Sequence, residues 1–251
     1  MGQGREAKHQ HRAHPGDQAH PGGQAHSGDL AHPGDKAHPG DKATTGPRAH
    51  FHPGRGDFEG VLGLLAGLTM SFGRGRSARL AAELAGVGPG DRVVDVGCGP
   101  GRFLREAAER GAEAVGVEPS GQMRRIAGWR TPAALSGRVR VVDGAAERIP
   151  LGDGSATVVW AVASFHHWSD PEAGLAEVHR VLQPGGRLLI AERLTTGGWF
   201  RHHALTWEQG QDLVAQVERA GFSGVTAGRH PLGRGQVLAV QARRPANPVP
   251  G

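Results

Sequence analysis

The sequence predicts an α/β protein: a doubly wound, mostly parallel sheet of seven strands that ends in an antiparallel hairpin and follows a disordered His-rich tail. Three observations predict it. Short β-branched runs alternate with helical patterns from Arg92 to Ala191, the order of a parallel sheet with helices on both faces. The last two apolar runs are joined by a glycine-rich stretch too short for a parallel crossover. Residues 1–56 contain almost no bulky apolar side chains, Leu30 and Phe51 excepted, so they cannot bury enough surface to offset the entropy of ordering them.

The tail repeats an Ala-His-Pro-Gly-like unit, with His14, His20, His26, His32 and His38 evenly spaced. Imidazoles on a flexible chain hold divalent transition metals loosely, and nothing in this repeat fixes a geometry. No metal site is expected, and a translated tandem repeat or a misassigned start explains the tail equally well. The boundary falls between 1–56 and a folded domain over 57–251.

Within that domain, Leu62, Leu65, Leu68 and Phe72 recur at helical spacing. After a Gly/Arg turn a helix runs from Ser77, placed as its N-cap, to Leu84, and Gly86, Gly88, Pro89 and Gly90 stop it. Strand Arg92–Val96 enters the loop Gly97-Cys98-Gly99-Pro100-Gly101. Helix 102–110, strand 114–118, helix 120–129 and strand 139–142 follow. Strand 157–161 precedes helix 171–182, and Pro184-Gly185-Gly186 turns into strand 187–191. The pattern ends with helix 207–220 and strands 223–227 and 236–242, joined by a turn of roughly eight residues from Gly228 to Gly235.

Composition narrows the chemistry. All the lysines (Lys8, Lys36, Lys42) lie in the tail, so the domain has no Schiff-base or phosphate-loop lysine. The formal charge of +5 is spread along the chain without a dense basic run, so a nucleic-acid partner is not expected. Cys98 is the only cysteine, which fits a reducing cytoplasm. The most apolar stretch, Val61 to Phe72, falls short of the ~20 residues a bilayer span needs, and the polar N-terminus does not read as a signal peptide. The expectation is a cytoplasmic protein with no membrane partner.

The loop at Gly97–Gly101 lets backbone approach a ligand closely, and the helix behind it offers free N–H groups. Arg102 stands where a dinucleotide fingerprint has its third glycine. Glu118 ends the next strand about twenty residues on, where a carboxylate can accept both hydroxyls of a ribose.

These residues, with Val93-Val94-Asp95-Val96, Gly116-Val117-Glu118-Pro119, Gly144-Ala145-Ala146-Glu147, Ser164-Phe165-His166-His167-Trp168 and Glu177 to Gly186, resemble the class I S-adenosylmethionine (SAM)-dependent methyltransferases. The likeness is to the small-molecule subgroup called methyltransferase type 11, and it covers residues 76–243. It implies a Rossmann-like methyltransferase fold, SAM as cofactor and a small-molecule acceptor. It also implies roles. Gly97, Cys98, Gly99 and Gly101 would line the methionine end of SAM, with Cys98 as a small packing residue rather than a nucleophile. Asp95 would organise that loop, Glu118 would hold the ribose, and Pro119 would lie beside the adenine. Ala145 and Ala146 would meet the adenine edge through backbone groups, with Asp143 as a nearby acid, and Ala161, on the fourth strand, is a further cofactor-binding candidate. His166 and His167 stand at the rim where the methyl is transferred, as candidates for a general base. The apolar residues from Phe58 to Phe72, and Trp199, Phe200, His202 and His203, are candidates for covering the acceptor. Two other readings compete: a dinucleotide-dependent oxidoreductase, and a metal-binding or interaction protein acting through its tail. The acceptor and the oligomeric state have no motif.

Overall fold

The structure, a computed structural model, is described over residues 75–195 and 204–246. The His-rich tail, the expected helix around Leu62 to Phe72 and the segment Trp199 to His203 lie outside the described residues.

Helix α1 (Gly75–Leu84) buries Ala78, Ala81 and Ala82, a stripe at i, i+3 and i+4. It leads into β1 (Arg92–Val96), α2 (Arg102–Glu109), β2 (Glu113–Glu118), α3 (Gly121–Arg130), β3 (Val139–Asp143) and β4 (Ala156–Val162). Helix α4 (Pro171–Val181), β5 (Leu182–Leu194), α5 (Trp207–Arg219), β6 (Ser223–Leu232) and β7 (Gly235–Arg243) complete the order. The starts of the helices are written in the sequence. Ser120 Oγ accepts the Met123 N–H, and the Asp170 carboxylate accepts those of Glu172 and Ala173 just before a proline. Thr206 and Gln209 form a capping box. Such caps contribute roughly 1 kcal/mol each.

The seven strands lie in the order β3-β2-β1-β4-β5-β7-β6. Strands β1 to β5 pair in parallel, and β7 runs antiparallel to both β5 and β6. The central strands are buried on both faces, so their residues alternate between two cores. Val93, Val158 and Trp160 pack with Ala78 and Leu104 on one side. Val94, Val159 and Ala161 pack with Leu175, Val178 and Leu213 on the other. Removing a fully buried side chain such as Leu104 would cost about 2–5 kcal/mol.

Three local expectations are corrected. Ser77 does not cap α1; the helix starts at Gly75, and Ser77 is a half-buried residue inside it. The helix thus extends two residues before the serine expected to cap it. Pro184-Gly185-Gly186 is not a turn before β5 but part of it, because Gly185 and Gly186 exchange backbone hydrogen bonds with Arg244 at 2.9 Å. The β6–β7 connection is two residues, Gly233 and Arg234, not eight. Gly233 has φ +62°, the sign that tight hairpin turns require. Pro231 is tolerated because β6 is the edge of the sheet.

Candidate cofactor and active site

In the strand order the chain moves one way from β1 to β3, and the other way through β4. The crevice beyond the carboxyl ends of the strands at such a reversal is where open α/β sheets bind ligands. Most of the predicted site residues stand at these strand ends, on or beside the loops that follow β1 to β4.

After β1, the loop turns on Gly97, Gly99 and Gly101, all at positive φ (75°, 51° and 74°). A Cβ on Gly97 would stand 2.6 Å from Ser164 Cβ, whereas one on Gly99 would meet nothing within 4 Å. One end of the loop is thus packed against the chain following β4, and its middle is open to a ligand. Ser164 Oγ donates to the Val96 carbonyl at 2.6 Å, fastening the same junction. Cys98 is 4% exposed, with Sγ 2.5 Å from where a Gly116 Cβ would stand, so β2 needs glycine at that point. Burial first, then the Asp95 and Glu118 carboxylates, push its thiol well above the usual range. This is the environment of a packed, inert thiol.

Glu118, at the tip of β2, is 7% exposed. Its Oε2 accepts the Gly99 N–H and its Oε1 the Ser120 N–H, both at 2.9 Å. Burial raises its carboxyl, against the pull of those two amides. Each oxygen keeps a second lone pair, and that is the capacity a ribose diol needs. Asp95 is 1% exposed; burial first, then the Glu118 charge, hold its carboxyl well above the usual range. Its Oδ2 has no hydrogen-bond partner among the described residues. The Trp160 indole pulls its carboxyl the other way. The residues present fit an adenosyl cofactor through an open glycine cradle and a carboxylate able to accept a diol.

The adenine side is built by the loop after β3. Pro119 is exposed and Ala145 half-buried, bridged to Arg148. Ala146 is buried beside Gly174. Glu147 Oε1 accepts the N–H groups of Ser169 and Asp170 at 2.7 and 3.0 Å, and the Ile149 N–H donates to Glu177 at 2.8 Å. Arg180 donates to the Ile149 and Leu151 carbonyls at 2.9 and 2.8 Å, fixing this loop to α4. Asp143 pairs with Arg124 at 3.0 Å, and the same guanidinium holds the Glu118 and Pro119 carbonyls. Ala161 is fully buried in the core, so its side chain packs there rather than at the rim.

After β4 the backbone makes an unusual turn. Ala163 has φ +53°, a conformation that costs non-glycine residues roughly 1 kcal/mol or more and tends to mark functional sites. Residues Phe165–His167 then form a single 3-10 turn. The His166 and His167 rings lie 3.9 Å apart between centroids. His166 Nδ1 is 2.9 Å from Glu192 Oε2, and Glu192 Oε1 also accepts the Phe165 N–H at 2.8 Å. A carboxylate can only accept, so Nδ1 carries a proton facing Glu192. Trp168 packs on Gly174 and on Phe165, 4.8 Å between ring centroids.

Glu192 is the functional residue that sequence reasoning missed. It is 1% exposed, and its histidine partner lies 26 residues earlier in the chain. The available signal was a lone acid inside the apolar run Leu188 to Leu194, since strands buried on both faces exclude charge unless it is paired.

Residues 94–190 match the family model described as a methyltransferase domain. The chain is 42% identical over 115 residues to an uncharacterised methyltransferase of Mycobacterium bovis, covering 44% of each. It is 36% identical over 123 residues to the 27-O-demethylrifamycin SV methyltransferase of Amycolatopsis mediterranei, covering 47% of this chain and 45% of that one. The chain thus spans less than half the length of these curated relatives. Among solved structures, a SAM-dependent methyltransferase from Aquifex aeolicus shares the fold, with a TM-score of 0.60 and 20% identity over 71% of this chain and 97% of that one. Residues 94–190 thus carry a methyltransferase domain, on a fold that solved SAM-dependent methyltransferases share.

Proposed function

We propose that this chain transfers the methyl group of SAM to a small-molecule acceptor. The observation that carries the reading is the Glu118 carboxylate, buried under the glycine loop and tied to it through Gly99. A diol-binding acid is thereby held in one rigid unit with the loop that cradles the rest of an adenosyl ligand. Gly97 to Gly101 would hold the methionine end, Glu118 the ribose, and the loop around Ala145 and Ala146 the adenine edge. SAM, when bound, supplies an electrophilic methyl on a sulfonium.

The chain's own residues then position the acceptor. In-line displacement depends mainly on holding the reactants in line and excluding water. The acceptor atom forms its bond to carbon as the carbon–sulfur bond breaks, and it loses a proton. His166, with Nδ1–H held by Glu192, presents Nε2 as the base for that proton, the arrangement of an oriented imidazole. The choice of a small acceptor is supported by a cavity of about 640 Å³ beside Glu192, walled by Leu80, Leu84, Phe103 and Val237. That lies within the range of small-molecule pockets, roughly 300–1,000 Å³.

Incubation of the full chain with methyl-labelled SAM and an ultrafiltered small-molecule extract tests the reading. Label is expected in a small product, with stoichiometric S-adenosylhomocysteine (SAH). Label only in protein or nucleic acid from the unfiltered extract would contradict it.

A further inference from the structure

The cavity beside Glu192 has an unbalanced charge. It lies between α1, the start of α2, the ends of β4 and β5, and the β6–β7 turn. Its walls are largely apolar, yet Arg76, Arg79, Arg102 and Arg193 line it, and Glu192 is its one acid among the described residues. Glu192 is already engaged by the Phe165 N–H and the His166 imidazole. Elsewhere the arginines that meet acids do so openly: Arg110, Arg124, Arg180 and Arg187 each pair with a carboxylate. Among the described residues, Arg76, Arg79 and Arg193 pair with none.

We infer that the acceptor is a small organic anion, a carboxylate on a partly apolar body, whose charge is received by Arg76, Arg79 and Arg193. The inference rests on the methyltransferase reading and names the substrate class of that site. Arg76 and Arg79 are three residues apart on α1 and so lie on one face, and Arg193 follows Glu192 on β5. A guanidinium matches a carboxylate through two parallel N–H donors. Apolar walls under several like charges focus the field and draw anions into the cleft. The positive region continues behind Arg102: burial first, then Arg130 and Arg102, lower the pKa of Arg105 from its ordinary value. The apolar walls would take the acceptor's body, leaving its charge at the arginine rim.

Calorimetric titration of the SAH-loaded full chain with cinnamate and with cinnamamide, equal in shape and different in charge, tests the assignment. Cinnamate should bind at least about tenfold tighter, as expected for charge-assisted hydrogen bonds, and its advantage should shrink as salt rises. In the double variant Arg79→Gln, Arg193→Gln, which changes two exposed side chains, the preference should collapse while SAH affinity is kept. Equal affinity for the two probes, binding of neither, or a preference that survives the double substitution would overturn the anion assignment. Failure of the wild-type chain to bind SAH is a different result and would overturn the methyltransferase reading itself.

Discussion

Glu118 Oε2 accepts the backbone N–H of Gly99 at 2.9 Å, joining the tip of β2 to the open middle of the loop after β1. One carboxylate thus shapes the loop and keeps lone pairs for a ligand. Loop and carboxylate therefore stand or fall together.

Gly97→Ala tests the packed end of that loop. The new methyl would lie 2.6 Å from Ser164 Cβ, on a residue with φ +75°. Steric overlap and left-handed strain together should cost about 2–4 kcal/mol. Urea unfolding of the variant against wild type reads it directly; a loss under about 0.5 kcal/mol would show that the junction with Ser164 is slack.

Asp95 makes stability depend on pH. Burial and the Glu118 charge raise its folded-state carboxyl above its unfolded value, which is about 3.9. Between those two values the folded chain holds a proton that the unfolded chain has released, so stability falls as pH rises. Below about pH 4 both states are protonated and the penalty vanishes. Asn cannot ionise, so the stability of Asp95→Asn relative to wild type should improve from pH 4 toward neutrality, by up to about 1.4 kcal/mol per pH unit. Urea midpoints across that range measure it, and a pH-independent difference would contradict the account.

Cys98 should behave as buried packing. With its thiol raised by burial and by Asp95 and Glu118, iodoacetamide should label the folded chain more than about tenfold more slowly than the unfolded chain. Labelling at equal rates would mean that the loop opens readily.

Glu192→Gln addresses the His166 tautomer. In wild type, long-range nitrogen–proton NMR should show the proton on Nδ1, facing Glu192. In the variant the glutamine amide can present a donor to that nitrogen, and the proton should shift to Nε2. Methyl transfer should drop by a hundredfold or more, on the order of a general base's contribution, with SAH affinity unchanged. An unaltered tautomer together with unaltered turnover would remove His166 from the base's role.

Much of this was legible in the sequence because the signals were local. The β-branched runs at Val93–Val96 and Val158–Trp160 and the caps at Ser120 and Asp170 each act within a few residues. The antiparallel end followed from chain length alone, since no crossover fits between β6 and β7. The turn was overestimated because the stretch from Gly228 to Gly235 is glycine-rich, whereas its residues up to Leu232 lie within an edge strand. Pairings across the sheet were not legible. Glu192 with His166, Ser164 with Val96, and Arg180 with the Ile149 carbonyl each join residues 26 to 68 positions apart. The cavity arginines come from α1, α2 and β5, and only the fold makes them neighbours.

Calorimetric titration of the full chain with SAM, SAH and NADH, beside the same titrations of Glu118→Ala, tests the central claim most directly. The account predicts binding of both adenosyl ligands, weakened at least about tenfold in the variant through lost charge-assisted hydrogen bonds, and no binding of NADH. Absence of adenosyl binding, or adenosyl binding unchanged by Glu118→Ala, would contradict it.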